Sequence, residues 1–437
     1  MFYGWRIVTV TFVTNFIAVG LVFYSYGVFF KALAAEFGGS RFGVATGLAI
    51  MNIAIGVFAP FLGHALDRSS IRYIICLGAL LTAIGFFLAS QIDALWQFYA
   101  VMGTFLALGV MTVGPLAGTT LVANWFRERR GIALGIAGMG ISASGFAMAP
   151  VATLLIGAIG WRDTFLVYGA VPLLVVLPLA WLVVVNRPEQ MGFEPDGAQG
   201  PDAAAPSPGD QPTSFPAPDD RNLAPPSRVD WSTRSALGER NLWVIAIVIA
   251  LNSCSNGAIL THIIPHATDI GFEPLAAAWV LSCIAGCGAV GKLLFGWIAD
   301  RIDKRLTLWC ATGLQGLGIV LILNAEQYHM LLLAGTVYGL GMGGMPPLAG
   351  ALIGAAFGRY RFGRMMGLMN PVMLPIRVLG IPYAGWIFDR TGSYEIAFLT
   401  FVGLCVVSIL VLALLRLPEV EPGSEQARAT GAPIPGG

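Results

Sequence analysis

Two cations, Lys292 and Arg377, lie inside strongly apolar segments of this 437-residue chain. A charge in hydrocarbon costs several kcal/mol, so each cation should face a cavity or an anion. Every Asp and Glu can be placed in a loop, a tail or the end of an apolar segment, which leaves both cations without an internal counter-ion. We therefore predict that Lys292 and Arg377 bind an anionic substrate. The structural alternatives are snorkelling of the Lys292 stem and hydrogen bonds from Arg377 to helix carbonyls.

Other polar side chains in apolar segments could assist such a site. His262 and His266 are four residues apart and share one helix face. An imidazole titrates near neutral pH, so His262 could carry a coupling proton, although a polar cap at a helix end explains the pair equally well. Asn252 and Asn256 have the same spacing, and we expect them to hold helices together outside the site. A hydroxyl donor is available at Tyr338 in the tenth apolar segment.

No apolar segment contains a nucleophile with a neighbouring base or a metal-ligand cluster, so the sequence does not predict an enzyme. We expect no metal and no cofactor, and a proton is the possible coupling ion. The net charge of +1 gives no indication of a nucleic-acid partner. We expect the lipid bilayer and a small organic anion as partners, and a monomer as the functional form.

The composition predicts a helical protein that crosses a membrane many times. Hydrophobic residues make up 56% of the chain, charged residues only 11%, and the mean hydropathy is +0.75. Twelve apolar segments are each long enough to cross the hydrocarbon core. They are predicted at 6–30, 42–63, 73–92, 96–121, 131–157, 162–185, 241–266, 275–298, 306–324, 330–356, 364–387 and 394–415. The predicted fold class is an all-α membrane protein of two six-helix bundles.

Composition also divides the chain into four parts. Residues 1–186 should form an amino-terminal bundle and residues 241–417 a carboxy-terminal bundle. Between them, 187–240 is rich in Pro, Ala and Asp, which predicts a disordered linker, and the tail 418–437 resembles it.

Charge predicts the orientation. With both termini in the cytoplasm, 19 of the 25 Lys and Arg residues are cytoplasmic, four are external and two lie within the spans. This is a strong positive-inside bias. We expect a bacterial inner membrane protein with cytoplasmic termini.

The two halves form a tandem repeat. "GPLAG" at 114–118 matches "PPLAG" at 346–350 at an offset of 232, and Gly109 matches Gly341 at the same offset. Two six-helix repeats are typical of transporters that bind substrate between the halves near the middle of the membrane. Lys292 and Arg377 align with Ala59 and Gly145, so both cations belong to the second half alone. Because they break the repeat, they are better candidates for an asymmetric ligand than for common packing.

A second repeated motif carries charges at helix ends. "GHALDR" at 63–68 matches "GWIADR" at 296–301 at an offset of 233. Charge pairs at such positions can lock one conformation of a transporter. We predict that this motif forms a cytoplasmic gate through Asp67, Arg68, Asp300 and Arg301. The alternative is that these charges only determine the orientation of the helices in the membrane.

These motifs resemble the major facilitator superfamily, whose loop motif lies between its second and third helices and again between the eighth and ninth. Within the superfamily, three stretches resemble the monocarboxylate transporter and oxalate/formate antiporter group. They are "YGW" leading to "SYGVFFKALAAEFGGSR", "NWFRERRGIALGIAGMGISASG" and "THIIPHATDIG".

The resemblance implies transport of a small carboxylate, often with a proton. The group has a substrate-binding Arg on its eighth helix, four residues before a glycine; here Lys292 precedes Gly296, so the planar Arg fork is absent. Some members of the group carry the coupling proton on an acidic residue one helical turn earlier, and this sequence has Gly288 at that position. Antiporters of the group use a cation on the eleventh helix, which implies a role for Arg377, and the group also favours a tyrosine at Tyr338.

The sequence therefore predicts a transporter of a small organic anion, a monocarboxylate above all, that works by alternating access and is coupled to protons. Lys292, Arg377, Tyr338 and His262 are the predicted substrate-binding residues. Exchange of one carboxylate for another is the close alternative. A non-transporting nutrient sensor on the same fold is a more remote one, because the tail after Leu417 is short.

Overall fold

Helices form every element of the computed structural model, which describes residues 2–126, 129–194, 238–299, 301–357 and 362–415 except for the side chains at 67, 362–364 and 366. We number the membrane helices α1 to α12 in chain order. The first six are α1 Gly4–Glu36, α2 Arg41–Arg68, α3 Ile71–Ser90, α4 Leu95–Trp125, and the segment Arg130–Val183, which contains α5 (130–159) and α6 (161–183). The second six are α7 Arg240–Asp269, α8 Pro274–Ala299, α9 Lys304–Leu323, α10 Tyr328–Phe357, α11 Phe362–Thr391 and α12 Glu395–Leu412.

A sharp turn at Gly160 separates α5 from α6. The uninterrupted segment Arg130–Val183 has 54 residues. As a single helix it would be about 80 Å long, far more than the ~30 Å hydrocarbon core. Gly160 adopts φ 80° and ψ 169°, a conformation that is open to glycine because it has no Cβ. The 11 long apolar segments within the described residues thus make twelve crossings, which confirms the predicted spans to within a few residues.

The tandem repeat is visible in the helix packing. A Cβ added to Gly109 of α4 would lie 2.8 Å from the backbone nitrogen of Thr82 on α3. A Cβ added to its repeat partner Gly341 of α10 would lie 2.5 Å from the carbonyl oxygen of Ala311 on α9. Both glycines therefore allow a close helix approach that no other residue permits. The same contact recurs in the two six-helix bundles.

The bundles meet along three helix pairs: α1 with α7, α2 with α11 and α5 with α8. We call the face predicted to be external the outer face, and the face of the 183–240 connection the inner face. Most of the predicted linker and the whole predicted tail lie outside the described residues, so those two predictions stay untested.

Candidate functional site

A cavity of about 270 Å³ lies between the two bundles. At ~30 Å³ per water molecule, it has room for a small organic anion. Helices α1 and α2 of the first bundle and α7 and α11 of the second form its walls. The lining residues are Val19, Phe23, Tyr24, Leu48, Asn52, Ser253, Asn256, Gly257, Leu260, Thr261, Arg377 and Ile381.

Arg377 is the cation of this cavity. It is half-buried near the middle of α11, and its buried Nε atom has no hydrogen-bond partner within the described residues. An orphaned guanidinium donor at this depth is costly unless a ligand or water accepts from it. Prolines at 371, 375 and 382 interrupt the hydrogen-bond ladder of the same helix, which lets α11 bend around the cavity.

The lining residues of the two bundles differ in charge, because Arg377 belongs to the second bundle and the first contributes no charged residue to the described lining. A π-helical turn at Gly20–Tyr24 in α1 places Phe23 and Tyr24 in the wall, and Ser25 caps this turn by donating to the Gly20 carbonyl over 2.9 Å. π-turns of this kind are frequent at functional sites. Val19 and Leu48 add apolar surface to the first-bundle wall, where Asn52 and the Tyr24 hydroxyl are the polar groups. The cavity therefore offers a cation for an anionic group and apolar surface for the rest of a ligand.

Tyr338 contacts this cavity only through Asn256. The side chain of Tyr338 is fully buried, and its hydroxyl donates to Asn256 Oδ1 over 3.3 Å. Asn256 itself lines the cavity, although we expected both asparagines to serve packing alone. Asn252 does have a packing role, because its amide donates to the Val248 carbonyl and to Ser408 Oγ. A polar amide within an apolar helix is the sequence feature that marks Asn256 as a candidate for the site. Asn252 has the same feature, and sequence periodicity alone does not show which of the two faces the cavity.

Lys292 lies nearer the inner face and is not among the cavity-lining residues. Its Nζ donates to Ser142 Oγ of α5 over 2.8 Å. On α8, Lys292 lies about 27 Å from the outer end at Pro274, whereas Arg377 lies about 21 Å from the outer end of α11 at Thr391. Counted along their helices, the two predicted anion ligands thus differ by about 6 Å in distance from the outer helix ends, and Arg377 but not Lys292 lines the cavity.

His262 is fully buried and packs beside the cavity without lining it. Its Nδ1 lies 3.1 Å from the Tyr394 hydroxyl, and its Nε2 lies 2.9 Å from the Ile381 carbonyl oxygen. Arg41 donates to the same hydroxyl over 2.7 Å, so the Tyr394 proton is directed to Nδ1 and His262 donates from Nε2. A neutral imidazole satisfies both contacts. His262 thereby links the outer face to Ile381 in the cavity wall.

Ion pairs join the bundles at the outer face. Asp269 at the end of α7 accepts from both terminal nitrogens of Arg41, over 2.6 and 3.0 Å, and pairs with Lys31 over 2.6 Å. Asp389 on α11 caps α2 by accepting from Ser40 Oγ and from the backbone amides of Arg41 and Phe42, each over 2.9 Å. We call Lys31, Arg41, Asp269, Asp389 and Tyr394 the outer closure.

The predicted cytoplasmic gate is only partly described. The Asp67 side chain and the whole of Asp300 lie outside the described residues. Arg301 is engaged within its own segment, with its guanidinium 3.9 Å from the Trp297 ring centroid and a hydrogen bond to the Trp297 carbonyl. Arg68 is exposed at the end of α2. The gate therefore stays a prediction.

Two six-helix bundles related by a repeat, with a charged cavity between them, define a membrane transporter. The family model of the Major Facilitator Superfamily matches residues 12–288 and 245–435, and the chain belongs to this superfamily. It is thus a multi-pass membrane transporter and not an enzyme.

The relatives agree on one group. Monocarboxylate transporter 13 of Rattus norvegicus is 27% identical over 404 residues, which cover 91% of this chain and 85% of the relative. Monocarboxylate transporter 11 of Homo sapiens is 28% identical over 438 residues, covering 96% and 85%. A bacterial homologue of the human lysosomal transporter Spinster, in an inward-facing and occupied conformation, has the same fold, with a TM-score of 0.67, 14% identity and coverage of 94% and 95%.

Proposed function

We propose that this protein transports a small monocarboxylate by alternating access, as a monomer, with proton coupling. The observation that carries the proposal is the Arg377 guanidinium in the inter-bundle cavity, whose Nε has no partner within the described residues. A carboxylate supplies the missing acceptor and the missing charge. The names of the relatives support a monocarboxylate as the anion.

In this proposal the carboxylate binds Arg377, and Asn256 donates from its amide. Tyr338 holds Asn256 through the 3.3 Å hydrogen bond and acts as a positioning residue. The apolar body of the substrate lies against Phe23 and Leu48 of the first bundle. The other described lining residues include no second cation, so a second carboxylate would have no counter-charge and the cavity favours monocarboxylates over dicarboxylates.

Lys292 has a separate role in this proposal. It lies closer to the inner face than Arg377, where it attracts the anion along its route between the cavity and the cytoplasm. The hydrogen bond to Ser142 holds its ammonium between α5 and α8. The anion would then meet the two cations in succession.

A histidine beside the outer closure supports the proposal of proton coupling. His266 packs against the Tyr394 ring, with centroids 6.0 Å apart, and its Nε2 is buried without a partner within the described residues. Protonation there would add a positive charge beside Arg41 and Asp269 and change the balance of the closure. The predicted role of His262 becomes structural, since both ring nitrogens already have partners.

Carboxylate exchange is the second candidate, and the charge of the cavity favours it. Arg377 is the charged residue among its lining residues, and neither Asp nor Glu is among them. Reorienting the carrier without an anion would move a poorly compensated cation through a low-dielectric centre, which is unfavourable. After releasing its anion, a carrier of this kind turns its binding site back to the starting side readily only when a second anion is bound.

Uptake into proteoliposomes tests both candidates. We expect small monocarboxylates to be taken up and the matching amides and dicarboxylates to be taken up poorly. A proton-coupled carrier accumulates the monocarboxylate into empty vesicles and loses accumulation when an ionophore collapses the proton gradient. An exchanger needs internal anion and ignores the ionophore. Absence of uptake for every carboxylate under both conditions would refute the proposed function.

We propose a bacterial inner membrane location with both termini in the cytoplasm, which the positive-inside distribution supports. A fluorescent protein that folds only in the cytoplasm, fused after Gly437, should be fluorescent. A periplasmic phosphatase at the same point should be inactive, and the reverse pattern would overturn the orientation.

A further inference from the structure

A membrane-facing groove lies apart from the central cavity. It has a volume of about 400 Å³ and opens where α2, α7, α11 and α12 meet in the outer half of the protein. Its walls include Phe42, Leu379, Tyr383, Trp386 and Leu404. Leu379 and Trp386 are 64% and 38% exposed, so this surface faces away from the protein interior. Within a bilayer the only abundant apolar material that can fill such a groove is lipid.

A cation lies at the outer end of the groove. The guanidinium of Arg390 is 4.2 Å from the ring centroid of Trp386, one helical turn away. Arg390 is exposed and has no ion pair within the described residues, unlike Arg162, which also stacks on a tryptophan but pairs with Glu36. Arginine binds phosphate groups, and tryptophan favours the level of lipid headgroups.

The groove and Arg390 beyond its outer end together match the depth of one leaflet. Leu379 and Arg390 are eleven residues apart on α11, a rise of about 16 Å. Half of the hydrocarbon core is ~15 Å thick. An acyl chain in the groove therefore extends from the middle of the membrane to the level of Arg390, where the headgroup begins.

We propose that this groove binds one phospholipid of the outer leaflet with a net negative headgroup. Its acyl chain lies along Leu379, Tyr383 and Leu404, and its phosphate accepts from Arg390 beside the Trp386 ring. An anionic lipid is selected because a zwitterionic headgroup brings a compensating cation close to the guanidinium. Phe42 on α2 belongs to the first bundle and the other walls to the second, so the lipid contacts both bundles beside the outer closure.

Quenching of tryptophan fluorescence by brominated lipids tests this site. The full-length protein is reconstituted into phosphatidylcholine vesicles containing increasing fractions of brominated phosphatidylglycerol. The Trp386 signal is isolated by subtracting a Trp386→Phe variant. Trp96, which is 69% exposed at the outer end of α4, provides the matched signal for ordinary lipid contact through Trp96→Phe.

We expect half-maximal quenching of Trp386 at a fraction of brominated lipid about five-fold lower than for Trp96, the factor expected for one Arg near an anionic headgroup. Arg390→Gln should remove this preference, whereas Arg162→Gln should leave it unchanged. Parallel quenching of Trp386 and Trp96, or a preference that survives Arg390→Gln, would overturn the proposal. Equal selectivity for brominated phosphatidylcholine would refute the anionic headgroup.

Discussion

At the residue scale, the account depends on which buried polar groups lack partners. Arg377 Nε is such an atom in the cavity wall, whereas both ring nitrogens of His262 are in hydrogen bonds and Ser142 accepts from one of the three donors of Lys292. A buried group without a partner is the one that gains most from a ligand. This contrast distinguishes Arg377, which would bind the substrate carboxylate, from residues that organise the surroundings of the site.

Tyr338→Phe tests positioning through Asn256. The change removes the hydroxyl that donates to Asn256 Oδ1 and leaves the ring in place. We expect carboxylate affinity to fall about three- to ten-fold, the net value of one hydrogen bond. Tyr328→Phe is the control, because this hydroxyl donates to the Ala276 carbonyl outside the cavity. Equal affinities in wild type and Tyr338→Phe, measured by titration calorimetry, would contradict the assignment.

Lys292→Gln tests the separation of the two cations. Glutamine keeps a polar side chain at this position but removes the charge from the inner route. We expect the equilibrium affinity for the carboxylate to change by less than about two-fold and transport to slow by roughly ten-fold, the weight of a ~1.4 kcal/mol electrostatic contribution. A loss of affinity as large as that of Arg377 variants would show that the two cations hold one carboxylate together.

At the element scale, glycines set the distance between helices. A Cβ on Gly140 of α5 would lie 2.2 Å from the Phe12 carbonyl oxygen of α1, whereas the same atom on Gly157 would meet nothing within 4 Å. The two glycines lie on one helix and differ only in their neighbours. Close approach of α1 and α5 depends on a position of the first kind.

Gly140→Ala should therefore destabilise the protein and Gly157→Ala should not. The clash with a backbone carbonyl forces α1 and α5 apart, at a cost of about 1–3 kcal/mol. Thermal unfolding of the two variants in the same detergent measures the difference. A melting temperature for Gly140→Ala that equals that of Gly157→Ala would show that α1 and α5 adjust freely.

Elements were easier to predict from the sequence than the site. Hydropathy predicted twelve crossings, because burial in lipid requires long apolar helices, and the 232-residue offset paired Gly109 with Gly341, whose helix contacts the structure then showed to be alike. They did not predict that Lys292 and Arg377 lie at different depths, or that Asn256 lines the cavity. The depth and rotation of a side chain depend on how its helix tilts and packs against its neighbours, which does not follow from apolar periodicity.

At the scale of the whole molecule, the outer closure holds the two bundles together at one face. Its bonds link α1 and α2 to α7, α11 and the residue before α12, and His262 continues them to Ile381 in the cavity wall. A rocking motion that opens the outer face has to break these bonds. The outer closure thus has a bonded and an open state, and substrate binding can shift the equilibrium between them.

Asp269→Asn should shift the molecule toward an outward-open state. The change removes the charge that pairs with both Arg41 and Lys31, and Arg41 is largely buried. We expect a shift of about 1–2 kcal/mol, a five- to thirty-fold change in the ratio of the two states. Distances between spin labels on the outer ends of α1 and α7 report that ratio.

Asp93→Asn is the matched control, because Asp93 is an outer acid that lies 3.7 Å from Arg162 within the first bundle. It should leave the distances unchanged. If Asp269→Asn also left them unchanged, the closure would not determine the outer state.

Binding of a carboxylate panel to Arg377→Gln tests the central claim most directly. Titration calorimetry of the purified protein measures affinity, and Arg390→Gln, on the same helix but outside the cavity, is the control. We predict that at least one small monocarboxylate binds the wild type and Arg390→Gln equally. Its affinity for Arg377→Gln should be lower by about ten- to a hundred-fold, the value of a charge-assisted hydrogen bond. Equal affinity of the wild type and Arg377→Gln for that monocarboxylate would contradict the account.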